Sequence, residues 1–285
     1  MPATVSLSQP LPTLPDLRGK VVLVTGASTG IGAAAARAFG AQGMKVAVHY
    51  NQSEGPAREV AAAVEAAGGA ALLVKADVRG SLAIRTAVAQ VLQSFGQIDI
   101  LVNNAGGLVQ RVPIAEFSDE LFDEVMHINA RSMLAFCREV VPGMRARAQG
   151  GSIINVTSIA ARHGGGPGAF LYAGAKGFVS TATRGLAKEL TPDRIRVNAV
   201  SPGVIVTPFH EQSGNAEAIA MRTMSRDELA VVLNADVRFV SDLMMFKRTD
   251  KYVRQARTVA QQPTIERIVR EKGEQNSSRQ RDLTL

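Results

Sequence analysis

Six short apolar runs, rich in Val, Ile and Leu and separated by Ala-rich stretches of helical length, constrain this chain more than any other feature. The runs fall at residues 20–25, 45–49, 70–75, 98–103, 151–157 and 194–201, and the helical stretches at 31–42, 55–67, 81–94, 119–144 and 172–190. A strand with one wet face alternates apolar and polar residues. Val21-Val22-Leu23-Val24 does not alternate, so both of its faces must be covered. Strands of this kind with helices between them predict an α/β fold: a doubly wound, Rossmann-type parallel sheet with helices on both sides.

The turn after the first run carries the first chemical signal. In Thr25-Gly26-Ala27-Ser28-Thr29-Gly30-Ile31-Gly32, Gly26 can make the tight turn, while Gly30 and Gly32 let backbone and helix close on a diphosphate. The helix start offers unpaired N–H groups and a positive dipole end to that anion. Turns without ligands use the same residues, but here the strand before and the helix after give the context of a dinucleotide site. The ribose 2′ position of such a cofactor is read about 20 residues later. There the second run leads into Tyr50-Asn51-Gln52-Ser53. No Asp or Glu in those four residues holds both ribose hydroxyls, and no Arg clamps a 2′-phosphate. Asn51, Gln52 and Ser53 can donate hydrogen bonds to one, so NADP is favoured over NAD.

Tyr172-Ala173-Gly174-Ala175-Lys176 places a phenol and an ammonium one helical turn apart. A positive charge about 4 Å away, at an effective dielectric near 20, is worth roughly 4 kcal/mol. At about 1.4 kcal/mol per pKa unit, Lys176 is expected to lower the phenol from about 10 by nearly three units. Tyr172 then serves as general acid for reduction and general base for oxidation. The pair alone has a bland reading as two surface residues. Ser158 argues against it, standing at the end of the run Ile153-Ile154-Asn155-Val156, where side chains of such a sheet face the ligand crevice. Its own bland reading is a loop serine capping a turn.

With these residues in view, the chain resembles the short-chain dehydrogenase/reductase family, in particular its 3-oxoacyl-carrier-protein reductase and glucose dehydrogenase types. The resemblance runs from about Leu17 to Pro208. It implies that Asn104-Ala105-Gly106, after Asn103, lines the adenosine side of the cofactor and that Asp77-Val78 contacts adenine. It implies that Pro202-Gly203-x-x-x-Thr207 binds the carboxamide. Tyr172 becomes the acid/base, Lys176 its electrostatic partner and a ribose ligand, Ser158 the group that orients the carbonyl, and Asn129 a support for proton relay through water. Asn is a poor residue for a helix interior, so its place within 119–144 already asks for a reason. The implied activity is NAD(P)-dependent hydride transfer between nicotinamide and a ketone or secondary alcohol. A homo-oligomer is implied too, though family members end in a Thr-Gly turn and a seventh strand that this sequence lacks after Arg226.

Residues 1–16 read as a flexible leader, with four prolines and no Lys or Arg, and 17–233 as the dinucleotide-binding catalytic domain. Residues 234–285 form an atypical tail, helical or disordered. Ser225-x-x-Glu228 suggests a capping box, and residues 263–272 a helix. From Asn215 to Leu285 the single glycine is Gly273, where ordinary usage of about 7% gives roughly five. A divergent ending, a fused tail and a reading-frame change all fit. A dinucleotide-binding protein with weak or no catalysis is therefore the alternative to a working enzyme. The net charge of +7 gathers in this tail among acids and with little aromatic interleaving, which suits a solvated face rather than nucleic acid. No run of about 20 apolar residues suits a membrane, and no Cys/His cluster has metal-ligand spacing. One cysteine, Cys137, forms no internal disulfide and reads as buried. A cytoplasmic enzyme is the expectation. His163, in the glycine-rich segment 163–168, reads as a solvated loop residue rather than a catalyst.

Overall fold

The apolar runs become strands β1 (Val21–Val24), β2 (Lys45–Tyr50), β3 (Ala70–Lys75), β4 (Ile100–Asn103), β5 (Gly151–Val156) and β6 (Ile195–Val200). In this computed structural model, which describes residues 14–203, 205 and 207–209, they form one six-stranded sheet in the order β3-β2-β1-β4-β5-β6. All pairings are parallel, with Val24 beside Val48 on one side and Val102 on the other. Strand order reverses between β1 and β4, so the loops leaving their C-terminal ends splay apart and open a crevice.

The helices are α1 (Gly30–Ala41), α2 (Glu54–Ala66), α3 (Ser81–Phe95), α4 (Asp119–Met126), α5 (Ser132–Arg147), a short α6 (Ala160–His163) and α7 (Phe170–Leu190). Val21, Leu23, Ala47, Val74, Leu101, Ile153 and Ile195 share one core with Val88, Val91, Phe136, Val140, Met144 and Val179 of α3, α5 and α7. Successive strand residues face opposite ways, which sends the equally buried Val22, Val24, Val46 and Val48 toward α1 and α2. Close approach there depends on Gly40, where an added Cβ would lie 2.8 Å from the Val64 Cα. The doubly wound sheet expected from the sequence is the fold observed.

Two local features differ from the sequence reading. The stretch 119–144 is not one helix: a π-helical turn, His127–Arg131, separates α4 from α5 and contains Asn129. Such single turns hold one extra residue and recur at functional positions. The segment 163–168 is not a free loop either. It begins in α6, which Gly164 ends in the left-handed region at φ 82°, and Gly168 O accepts from the Val112 amide at 3.1 Å.

The expected leader lies largely outside the described residues, although Pro15–Leu17 forms a 3-10 turn. The capping box at Ser225, the helix at 263–272 and the tail 234–285 lie outside them altogether. The chain divides into two compact units, Met1–Val240, which contains every described residue, and Ser241–Leu285. Among the described residues, no helix is long and apolar enough to cross a membrane, and no His, Cys, Asp and Glu gather as metal ligands.

Candidate active site

The glycine turn is built by bonds to the neighbouring strand. Thr25 Oγ1 donates to Val102 O at 3.2 Å and accepts from the amides of Asn104 and Ala105, both at 2.9 Å. Asn104 Nδ2 donates to the carbonyls of Thr25 and Gly26, at 2.9 and 3.0 Å. The loops leaving β1 and β4 are thereby fixed to each other. Gly26 and Gly30 both adopt positive φ, 62° and 56°, a region that costs a residue with a Cβ. Thr29 extends into α1 at φ −144° without a side-chain cap, so the first amides of that helix stay open to an anion. Gly32 is the tightest point: an added Cβ would lie 2.3 Å from Gly26 O and 2.4 Å from Asn104 Nδ2. Ser28 and Ile31 are half-buried beside it. Gly32 lets the helix close on the Gly26 turn, and the uncapped start of α1 beside it fits the diphosphate of a dinucleotide. Gly32→Ala is accordingly expected to destabilise the chain by about 1–3 kcal/mol, as overpacking does, and to weaken dinucleotide binding. Thermal denaturation and a binding titration check both effects.

Thr207 comes to this loop from the far end of the described chain, its Cγ2 lying 3.3 Å from where a Cβ on Gly30 would stand. Pro202 O accepts from the Ile159 amide at 2.9 Å, which ties the Pro202-Gly203 turn to the segment after β5. On the other flank Asn51, Gln52 and Ser53 are exposed and Tyr50 is buried. The sequence reading passed over their neighbour Glu54, which pairs with Arg58 at 2.5 Å. Asp77 is less free than expected. Arg79 holds its carboxylate through the backbone amide at 2.9 Å and through Nη2 at 2.6 Å. These bonds, the guanidinium's first, lower its pKa. Val78 packs against the core.

The four residues expected to carry the chemistry sit just after β5 (Ser158), in the π turn between α4 and α5 (Asn129) and on α7 (Tyr172 and Lys176). Lys176 is 4% exposed, and its Nζ donates to Val156 O at 2.9 Å. Its own carbonyl accepts from Thr157 Oγ1 at 2.8 Å. Asn129 Nδ2 donates to Gly107 O at 2.8 Å and Val125 O at 2.9 Å, and its Oδ1 accepts from the Gly107 amide at 3.1 Å. Gly106 lies between these two side chains: a Cβ there would stand 2.6 Å from Asn129 Oδ1 and 3.1 Å from Lys176 Nζ. The Asn129 amide is thus spent on positioning the loop after β4. Ser158 Oγ accepts from the Ala160 amide at 3.1 Å and stands near enough to Tyr172 to act on the phenol's ionisation. Its capping role and its nearness to the phenol coexist. The Tyr172 ring meets Phe209 at 5.7 Å between centroids, a contact the sequence reading missed.

The electrostatics correct one expectation. Lys176 Nζ lies 5.7 Å from the Tyr172 ring centroid, and its charge does not bring the phenol below its ordinary range. Burial raises the Tyr172 pKa, and the nearby Ser158 hydroxyl opposes that rise. Burial acts on Lys176 in the other sense, lowering its pKa from 10.5 to about 8. Both effects have one cause, since a group removed from water favours its uncharged form. His163 is exposed and accepts at Nδ1 from the Gly165 amide at 3.1 Å. Cys137 is buried, its thiol pushed up to about 12. Neither belongs to the site.

Comparisons with known proteins agree with this fold. The family model described as short chain dehydrogenase matches residues 20–218. A second, described as BREX ATP-binding protein BrxC 4th domain with six-stranded beta sheet, matches 204–285. The 3beta-hydroxysteroid dehydrogenase 1 of Eggerthella lenta is 40% identical over 212 residues, covering 72% of this chain and 78% of that protein. The 3-oxoacyl-[acyl-carrier-protein] reductase of Synechocystis sp. is 39% identical over 203 residues, with 71% and 81% covered. The crystal structure of the NADH-dependent reductase A1-R′ complexed with NAD superimposes with a TM-score of 0.64 at 36% identity, covering 67% of this chain and 80% of that one. With the parallel sheet, the glycine cradle and relatives of this likeness, the chain belongs to the short chain dehydrogenase family of nicotinamide-dependent oxidoreductases.

Proposed function

We propose that the protein reduces a ketone, or oxidises the corresponding secondary alcohol, with Tyr172 exchanging the proton at the substrate oxygen. The observation that carries this reading is the meeting of Tyr172 with Ser158 beside the buried ammonium of Lys176, at the end of the sheet where the glycine cradle opens. The bound nicotinamide supplies or accepts the hydride. Ser158 holds the carbonyl oxygen next to the phenol. Tyr172, kept protonated by its buried setting, donates its proton to the oxygen as negative charge develops there. Lys176 stabilises the phenolate left behind and binds ribose hydroxyls. Asn129 holds the loop of Asn104, Ala105 and Gly106 against the cofactor.

NADP is the proposed cofactor. The absence of a carboxylate among Tyr50, Asn51, Gln52 and Ser53 supports it. The relative solved with NAD is described as NADH-dependent, so the choice turns on this chain's own residues. The test follows NADPH and NADH oxidation across a panel of ketones and 3-oxoacyl thioesters. We expect turnover with at least one ketone and a KM for NADPH about three- to tenfold below that for NADH, a difference of about 1 kcal/mol. A lower KM for NADH overturns the cofactor choice. Dinucleotide binding without turnover on any member of the panel overturns the enzyme.

A further inference from the structure

His49 stands one residue before the end of β2 and is 1% exposed, yet both of its ring nitrogens are engaged by loops of the cofactor side. The Gly26 amide donates to Nδ1 at 3.0 Å, and Nε2 lies 3.1 Å from Ala76 O. An amide N–H only donates and a carbonyl only accepts, so the ring is neutral with its proton on Nε2. One imidazole thereby joins the tight turn of the glycine loop to the residue just before Asp77-Val78. The backbone draws the same segments together: the Ala27 amide donates to His49 O at 2.8 Å, and the Ala76 amide to Tyr50 O at 3.0 Å. Phe136 meets the ring edge-on at 5.7 Å and fixes its tilt. A strand residue present only to fill space would need neither polar contact.

We propose that His49 is a positioning residue for the dinucleotide pocket, its neutral imidazole holding the glycine turn and the Asp77 loop at one separation. The inference rests on reading the glycine loop as the cofactor site. It carries a consequence for pH. A second proton would set an N–H at Nδ1 against the N–H of Gly26 and break the bridge. Burial opposes that proton and lowers the His49 pKa from 6.5 to about 4, while Asp77, already paired with Arg79, pulls weakly the other way. Gly26 and Phe136, its other neighbours, carry no charge. Because the folded state binds this proton less readily than the unfolded chain, the bridge's contribution to stability is full above about pH 6.5 and fades as pH falls toward 4.

The test compares the full chain with its His49→Asn and His49→Leu variants by NADPH fluorescence titration, which no tryptophan emission obscures. Asn sets its Oδ1 where Nδ1 stood and keeps an acceptor for Gly26; Leu keeps none. For His49→Leu we expect the NADPH Kd and KM to rise about tenfold or more, equivalent to about 1.4 kcal/mol, with kcat at saturating cofactor within about twofold. His49→Asn is expected to recover most of the affinity at pH 7.5. Between pH 6 and 4 the Kd of the unaltered protein is expected to climb more steeply than that of His49→Asn. An unchanged Kd in His49→Leu, or an Asn variant as weak as Leu, overturns the proposal. If His49→Leu does not fold, parallel pH curves for the other two proteins overturn it. Should the unaltered protein bind no dinucleotide at pH 7.5, the cofactor reading itself falls and the proposal with it. Binding that ignores both variants sinks only the role of His49.

Discussion

Tyr172→Phe is expected to leave a folded protein that binds its dinucleotide and turns over about a thousandfold more slowly, within the range that a positioned proton donor contributes. The change deletes one oxygen. The ring keeps its packing against Phe209, and Ser158 keeps the Ala160 amide as a partner, so neither the core nor the short helix loses its anchor. With the cradle around Gly26 and Gly32 untouched, the dinucleotide Kd is expected to stay within about twofold, well under 1 kcal/mol. Kinetics and a binding titration on one preparation check both halves. Turnover above about a tenth of the original, a loss of less than 1.4 kcal/mol in transition-state stabilisation, would falsify the assignment of Tyr172.

Lys176→Met is expected to move activity and stability in opposite directions. The fall in the Lys176 pKa from 10.5 to about 8 corresponds to about 3 kcal/mol that the fold expends to hold a charged ammonium out of water. The sign follows from proton counting. The unfolded chain binds this proton more tightly, so the cost is complete below about pH 8 and disappears as pH climbs toward 10.5. Methionine fills a similar shape without charge. Losing the donor to Val156 O removes about 1 kcal/mol of that gain, which leaves about 2 kcal/mol net. At about 2–4 °C per kcal/mol for a chain of this size, Tm rises by about 4–8 °C near pH 7. Turnover falls about a hundredfold or more, because nothing then stabilises the charge left on Tyr172. The Tm advantage narrows as pH increases from 8 toward 10.5. A variant less stable than its parent at pH 7 would show that the ammonium is better solvated than its burial implies.

Much of the fold could be read from the sequence because its strongest signals are local. A run such as Val21-Val22-Leu23-Val24 has no polar face, and only a covered parallel sheet accommodates it. The cradle was equally legible, since glycine at 26, 30 and 32 answers a steric demand that depends on backbone alone. What sequence spacing left out is three-dimensional. Four residues between Tyr172 and Lys176 place them on one helix face. That spacing does not reveal that the lysine bends back to Val156 or that desolvation outweighs Coulomb attraction. Asn129 announced itself by its poor helix propensity, whereas the π turn around it adds one residue that no periodicity betrays. His49 gave no signal, because a single histidine in an apolar strand reads as core until its two partners, far apart in the chain, are known.

Beneath the site, Asn103 Nδ2 donates to Asn155 Oδ1 at 2.9 Å, Asn155 Nδ2 to Thr183 Oγ1 at 2.9 Å, and Thr183 Oγ1 to Val179 O at 2.7 Å. This relay of amides and a hydroxyl crosses from β4 through β5 into the helix that carries Tyr172 and Lys176, and Asn155 at its centre is wholly buried. Exchanging any one member strands its neighbours' polar atoms away from water, a larger penalty than exchanging all three for apolar residues of matching shape. Positions 103, 155 and 183 are therefore expected to behave as one unit, the costs of the three single exchanges summing to more than the cost of the triple exchange.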